Sequence, residues 1–209
     1  MTKIESSTIA PTQFLEVSGL RYAYRRIGKG PGLPLLCLQH FTGTLDNWDP
    51  AVTDPLASGR DVILFENAGV GRSTGDVPPT ITAMTGHALA FLDGLGVETC
   101  DVLGFSLGGM IAQQMAQDRP SIIRRMILVG TAPRGGEDIM HLEKPSLAKH
   151  IQDPQNRGYA VLQKIFFAPT PTSQAAGAAF IARLMQRKDD REPPAGPNVA
   201  GAQLAAFRE

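Results

Sequence analysis

The 209-residue chain carries 20 Lys and Arg against 20 Asp and Glu, and this balance excludes the basic surface that a nucleic acid or an anionic membrane would require. Hydrophobic residues make up 43% and charged residues 19%. That is a globular and not a disordered profile, at a length able to bury a one-domain core without disulfide or metal. No leader-like apolar stretch follows Met1 and no apolar run approaches the ~18 residues of a membrane span, so a soluble, cytoplasmic protein without a membrane partner is expected.

Residues 1–11 are polar and are expected to be loose. Residues 14–17 and 20–24 alternate around Ser18-Gly19 like a β-hairpin. The segment Gly28-Lys29-Gly30-Pro31-Gly32 is a turn and not a phosphate loop, because no Lys-Ser pair and no helix start follow it. Residues 35–38, 61–65, 101–103 and 126–129 read as strands covered on both faces. Between them lie helical patterns at 47–56, 81–95 and 108–117, with Asp46 or Asn47 as candidate caps of the first and Trp48 packed at its start. Met110, Ile111 and Met115 fall at helical core spacing. Strands alternating with helices predict an α/β fold, a mostly parallel sheet entered by an antiparallel hairpin.

Cys37 and Cys100 sit beside apolar residues without metal spacing and are expected as buried thiols. After residue 130 only helices are predicted, at 146–151, 157–167, 173–188 and 199–207, with 189–197 as a charged, proline-rich link. The expected division is a core over 1–138 and an incomplete helical cap over 139–209.

The most informative segment is Gly104-Phe105-Ser106-Leu107-Gly108-Gly109, set between a buried strand and a helix. A serine on this sharp turn adopts a strained backbone that pushes its hydroxyl out of the sheet. A Cβ at position 104 or 108 would clash with the neighbouring strand or helix, and Gly109 is expected to let the helix close on the sheet. The helix N-terminus behind the serine favours developing negative charge.

With this segment, Gln39-His40-Phe41-Thr42-Gly43-Thr44-Leu45-Asp46-Asn47-Trp48 and Glu66-Asn67-Ala68-Gly69-Val70-Gly71-Arg72-Ser73, the chain resembles the α/β-hydrolase superfamily along nearly all its length. The resemblance is greatest to the serine esterase, lactonase and cofactor-free haloperoxidase branch. A serine at 106 speaks against epoxide hydrolases and haloalkane dehalogenases, which use aspartate there. The resemblance implies Ser106 as nucleophile, the N–H groups of Phe41 and Leu107 as oxyanion hole, a small acyl substrate, and no cofactor or metal. The family usually has His-Gly where this chain has Gln39-His40.

His40 precedes the nucleophile, whereas the fold's base follows it, so His40 reads as structural. His87 reads as an ordinary helix residue, Glu66 and Asn67 as turn formers with Gly69 and Gly71, and His141 and His150 as cap residues. The family's acid and histidine follow the last two strands, which have no counterpart before Glu209. Glu137 or Asp138 could serve as the acid, and no late histidine serves as base. The expectation is therefore the N-terminal part of a hydrolase, its strand at 126–129 an open edge prone to self-association or complementation by a second fragment. The primary reading is a serine-dependent hydrolase of small esters, lactones or related acyl compounds. The rivals are a non-catalytic interaction module, and a C–C hydrolase, perhydrolase or lyase on the same serine.

Overall fold

The computed structural model describes residues 6–136 and 158–209. β1 (Gln13–Val17) and β2 (Leu20–Ile27) form the expected hairpin, Val17 opposite Leu20. Ser18 and Gly19 both have positive φ, 52° and 79°, the turn geometry that matches the twist of antiparallel strands. β3 (Leu35–Leu38), α1 (Pro50–Ala57), β4 (Val62–Phe65), α2 (Ile81–Gly94), β5 (Cys100–Phe105), α3 (Leu107–Asp118) and β6 (Ile123–Val129) follow in order. After the undescribed stretch come α4 (Ala160–Phe166), α5 (Pro171–Leu184) and α6 (Pro197–Ala206). The helix expected at 146–151, Glu137, Asp138, His141 and His150 lie outside the described residues.

The sheet order is β1-β2-β4-β3-β5-β6, with β2 antiparallel to β4 and the remaining pairs from β4 to β6 parallel. Alternate residues feed two apolar layers. Leu36, Leu38, Ile63, Phe65 and Val102 pack with Met84, Phe91, Ile111 and Met115 of α2 and α3. Leu35, Cys37, Val62, Leu64 and Leu103 pack with Trp48 and Ala57 on the opposite face. Each such large aliphatic or aromatic side chain contributes about 1.5–3 kcal/mol relative to exposure. Cys37 and Cys100 are free and buried, and burial pushes the Cys37 thiol up to about 12. Met110, expected in the core, is only half-buried, while Ile111 and Met115 are buried.

Because β3 has β4 on one side and β5 on the other, the chain reverses its direction of winding there. Loops after β3 and β5 therefore diverge at the carboxyl ends of neighbouring strands and leave a crevice, the usual binding position in such sheets. Leu38 of β3 lies opposite Gly104 of β5, so residues 39–44 and 105–107 border that crevice.

Three local expectations need correction. α1 begins at Pro50, not at 47, and its cap is Asp49, which accepts from the Ala51 N–H at 2.9 Å. Asn47 instead closes a 3-10 turn with Thr44, and Asp46 turns inward to Arg25 at 2.7 Å. Residues 6–11 are held and not loose: Ala10 is buried and its carbonyl accepts from Arg187 at 2.9 Å. The segment 189–197 is the expected charged, proline-rich link between helices, and it is anchored inward. Arg187 and Glu192 are buried, with Glu192 against Arg25 and bound through Arg72, an arrangement that charges tolerate only when paired. α6 also reaches the sheet's own core, where Val199 and Ala206 join the α2–α3 layer.

β6 is an edge of the sheet among the described residues, and Met126, Ile127, Leu128 and Val129 are 37–45% exposed. An apolar strand with unpaired backbone groups is a template for association. The 209-residue chain is expected to elute above its monomer mass on size-exclusion chromatography, and Ile127→Lys to shift it toward monomer. A wild-type monomer unaffected by the lysine would contradict this.

Candidate active site

Ser106 is the cap residue of α3, with φ 53° and ψ −115°. Such a backbone costs a non-glycine residue on the order of 1–3 kcal/mol and persists only where the surroundings impose it. Here they do. The Ser106 N–H donates to the Val129 carbonyl of β6 and its carbonyl accepts from the Gly109 N–H, both at 2.9 Å. A Cβ on Gly104 would lie 2.5 Å from the Gly108 carbonyl oxygen, and one on Gly108 would lie 2.1 Å from the Leu38 carbonyl oxygen. The first contact is strand against helix and the second helix against strand, as the glycine spacing implies. Gly109 differs from expectation: its absent Cβ makes room for Thr131, 2.5 Å away in the loop after β6, and not for the sheet.

Serine ordinarily caps a helix with its own oxygen, yet the Ser106 hydroxyl makes no cap bond. It is left half-exposed at the crevice. Leu107 starts the helix, so its N–H belongs to the first turn that has no intrahelical acceptor.

Across the crevice, the loop after β3 is pinned one peptide at a time. The His40 N–H donates to Gln39 Oε1 at 2.9 Å, and the His40 carbonyl accepts from the Gly43 N–H at 2.9 Å. The Phe41 carbonyl accepts from His40 Nδ1 at 2.8 Å, so that nitrogen carries the proton. The Phe41 N–H has no acceptor among the described residues. The two N–H groups named from the family resemblance thus both stand unused, at the ends of neighbouring strands.

His40 is buried, edge-on to Phe105 and Phe166 at 5.2 and 5.7 Å, and burial lowers its pKa. A neutral ring tied to its own loop supports the loop and is not placed as a base. His87 Nδ1 meets the Tyr22 hydroxyl at 2.7 Å on β2. No described histidine or carboxylate hydrogen-bonds Ser106. Among the described residues no His, Cys, Asp and Glu group has a metal-binding arrangement.

Asn67 starts the expected turn, its carbonyl accepting from the Val70 N–H at 3.2 Å, and Glu66 stands just before it and does more. Its carboxylate is 2% exposed and accepts from the Leu45 N–H at 3.2 Å and the Arg72 N–H at 3.0 Å. A Cβ on Gly71 would stand 2.2 Å from Glu66 Oε2. Burial and the facing Glu192 carboxylate raise the Glu66 pKa well above the ordinary value, against the backbone bonds that lower it. Gln203 of α6 also enters the site, accepting from the Thr42 N–H at 2.6 Å. Neither Glu192 nor Gln203 is visible from sequence as a site residue, since each meets its partner more than 100 residues away and belongs to no local motif.

A family model described as the alpha/beta hydrolase fold matches residues 34–194. An alpha/beta hydrolase fold protein from Chitinophaga pinensis superposes with a TM-score of 0.91 at 45% identity, over 97% of this chain and 72% of that one. The dihydrolipoyllysine acetyltransferase component of the acetoin cleaving system of Cupriavidus necator is 36% identical over 126 residues, 60% of this chain and 33% of that protein. The RutD protein of Azorhizobium caulinodans, which carries a carbamate-hydrolase name, is 36% identical over 101 residues, 48% of this chain and 38% of that protein. The matched stretches thus span about a third of each of these two curated relatives.

The Glu66–Glu192 contact predicts a pH dependence. A raised carboxyl pKa gives stability that is complete below the unfolded value, near 4.5, and is lost as pH rises through the folded one. Asp101, pulled down to about 2 by Arg124 and Arg60, titrates in a separate acid window. Urea denaturation is expected to show stability falling from about pH 4.5 upward, and Glu66→Gln to flatten that fall. An unchanged slope in Glu66→Gln would contradict the assignment.

Proposed function

This chain belongs to the α/β-hydrolase fold family, and from that premise we propose that it carries the nucleophilic serine of an acyl hydrolase acting on small carboxylic esters, lactones or related acyl compounds. The observation that carries the reading is the uncapped Ser106 hydroxyl at φ 53°, beside two unused N–H groups. In the proposed chemistry the Ser106 oxygen attacks the substrate carbonyl carbon. The developing oxyanion takes hydrogen bonds from Leu107 and Phe41, and the first turn of α3 favours its charge. The leaving alkoxide departs with a proton, leaving an acyl-serine that water resolves.

Base and acid belong to the same proposal. A base within reach of the serine proton is needed for fast turnover, and none stands there among the described residues. Glu137 and Asp138 remain the candidate acids of the proposal. An oxyanion hole and nucleophile without a base retain roughly 10³-fold over water. Catalysis by the described residues alone is accordingly proposed to be weak. The carbamate name of the RutD relative makes carbamates a second acyl class for the same test.

A fluorophosphonate probe, p-nitrophenyl acetate and a p-nitrophenyl carbamate serve as reagents. Slow modification of the peptide containing Ser106, seen by mass spectrometry and abolished in Ser106→Ala, is the expected result, with ester release near background. Modification elsewhere, or turnover that survives Ser106→Ala, would overturn it.

A further inference from the structure

We propose that Gln203 is a positioning residue for the oxyanion-binding loop, setting the orientation of the peptide that follows the Phe41 donor. The inference rests on the serine-hydrolase reading and assigns a function to α6. Its ground is that one peptide unit, Phe41 C=O to Thr42 N–H, is gripped at both polar ends by side chains. His40 Nδ1 donates to the carbonyl at 2.8 Å, and Gln203 Oε1 accepts from the N–H at 2.6 Å. The first grip comes from the adjacent residue. The second reaches in from 161 residues further along the chain.

The grip has strain to hold. Thr42 has φ 57°, and a β-branched residue in the left-handed region is a genuine outlier. The peptide therefore needs partners to keep it there. Gln203 is only 4% exposed, so its amide is committed to this position and not to solvent. The same helix end backs the loop from the side-chain direction, where the Phe41 and Phe207 rings stand 5.9 Å apart. A cavity of about 30 Å³, room for about one water, brings Gln203 to the same space as Gln39, Gly43 and Leu107. Gln203 thus stands beside both sides of the oxyanion site without being placed to touch the oxyanion.

The Phe41 donor belongs to the preceding peptide, whose His40 carbonyl accepts from the Gly43 N–H at 2.9 Å, so rotation of the 41–42 peptide about ψ of Phe41 and φ of Thr42 displaces Gly43 and through that bond tilts the donor in the crevice. An oxyanion donor displaced by such a turn forfeits much of its effect, since single donors are worth about 10²–10³-fold and a shift of about 1 Å in a reacting group can cost about 10²-fold. Gln203→Met keeps length and apolar bulk and deletes the acceptor. Gln203→Glu keeps an acceptor oxygen at the same reach.

Phenylboronic acid is the probe, because its boron takes the Ser106 oxygen to give a tetrahedral boronate, the serine proton passing to buffer. Its binding to the 209-residue chain is followed by ¹¹B NMR, alongside amide exchange at Thr42 and thermal melting. Gln203→Met is expected to speed Thr42 exchange and weaken boronate binding by about 10- to 100-fold, with Gln203→Glu restoring much of both. A merely structural glutamine would lower the melting temperature of both variants and leave boronate affinity per folded molecule unchanged, which would overturn the proposal. Equal Thr42 exchange in wild type and Gln203→Met would overturn it as well. Wild-type boronate binding no tighter than in Ser106→Ala would instead overturn the serine reading, and this inference with it.

Discussion

The structure depends on how closely α3 approaches β3 and β5. Position 108 leaves no room for a Cβ: one placed there would stand 2.1 Å from the Leu38 carbonyl oxygen, and one at position 104 would stand 2.5 Å from the Gly108 carbonyl oxygen. With helix and strands drawn this near, the chain has a single residue in which to turn from β5 into α3, and Ser106 takes it at φ 53°. The strain, the uncapped hydroxyl and the nearness of a helix N-terminus all follow from that distance. The reversal of strand order at β3 then places the β3 loop opposite the serine, so that topology and packing meet at one point.

A second constraint lies away from the turn. Arg25 of β2 is 1% exposed and pairs with Asp46 at 2.7 Å and Glu192 at 3.3 Å, while Arg72 also binds Glu192 at 2.7 Å. Breaking a buried pair of this kind by removing one partner costs about 3–5 kcal/mol. The ions therefore fasten the segment after α5 to the hairpin, to the turn before α1, and through Arg72 to the loop after β4. Fastened there, the chain enters α6 at a fixed point, and α6 carries Gln203 and Phe207 to the loop after β3. Ion pairs at one edge of the molecule thus bear on the backbone geometry at the crevice.

What was legible in the sequence is what local spacing encodes. The hairpin, the strands and the Gly-x-Ser-x-Gly turn follow from alternation, continuous apolar runs and glycine spacing and stand where the pattern puts them, although 126–129, read as covered on both faces, is 37–45% exposed. The two glycines flanking Ser106 carry their reason in their spacing. Gly109 shows the limit of such reasoning: its need for a missing Cβ is plain, but the neighbour that imposes it, Thr131, lies beyond the next strand. Glu192 falls in a run that reads only as a charged, proline-rich link, because a charge pattern does not show which side a residue faces. Gln203 was silent for the same reason. Its partner is a backbone N–H, and nothing in the composition near residue 42 announces that a glutamine must arrive there.

The closeness of α3 to β3 is most directly tested by comparing Gly108→Ala with Gly86→Ala in urea denaturation. Gly86 lies in α2 with nothing within 4 Å of a built Cβ, so alanine there is expected to be neutral or to stabilise by about 0.5–1 kcal/mol. At position 108 the Cβ would meet backbone that cannot move aside, and a loss above about 4 kcal/mol, at the exceptional end for single substitutions, is the predicted result. A Gly108→Ala chain as stable as Gly86→Ala would contradict the account, because the turn at Ser106 would then not be held by the contact that defines it.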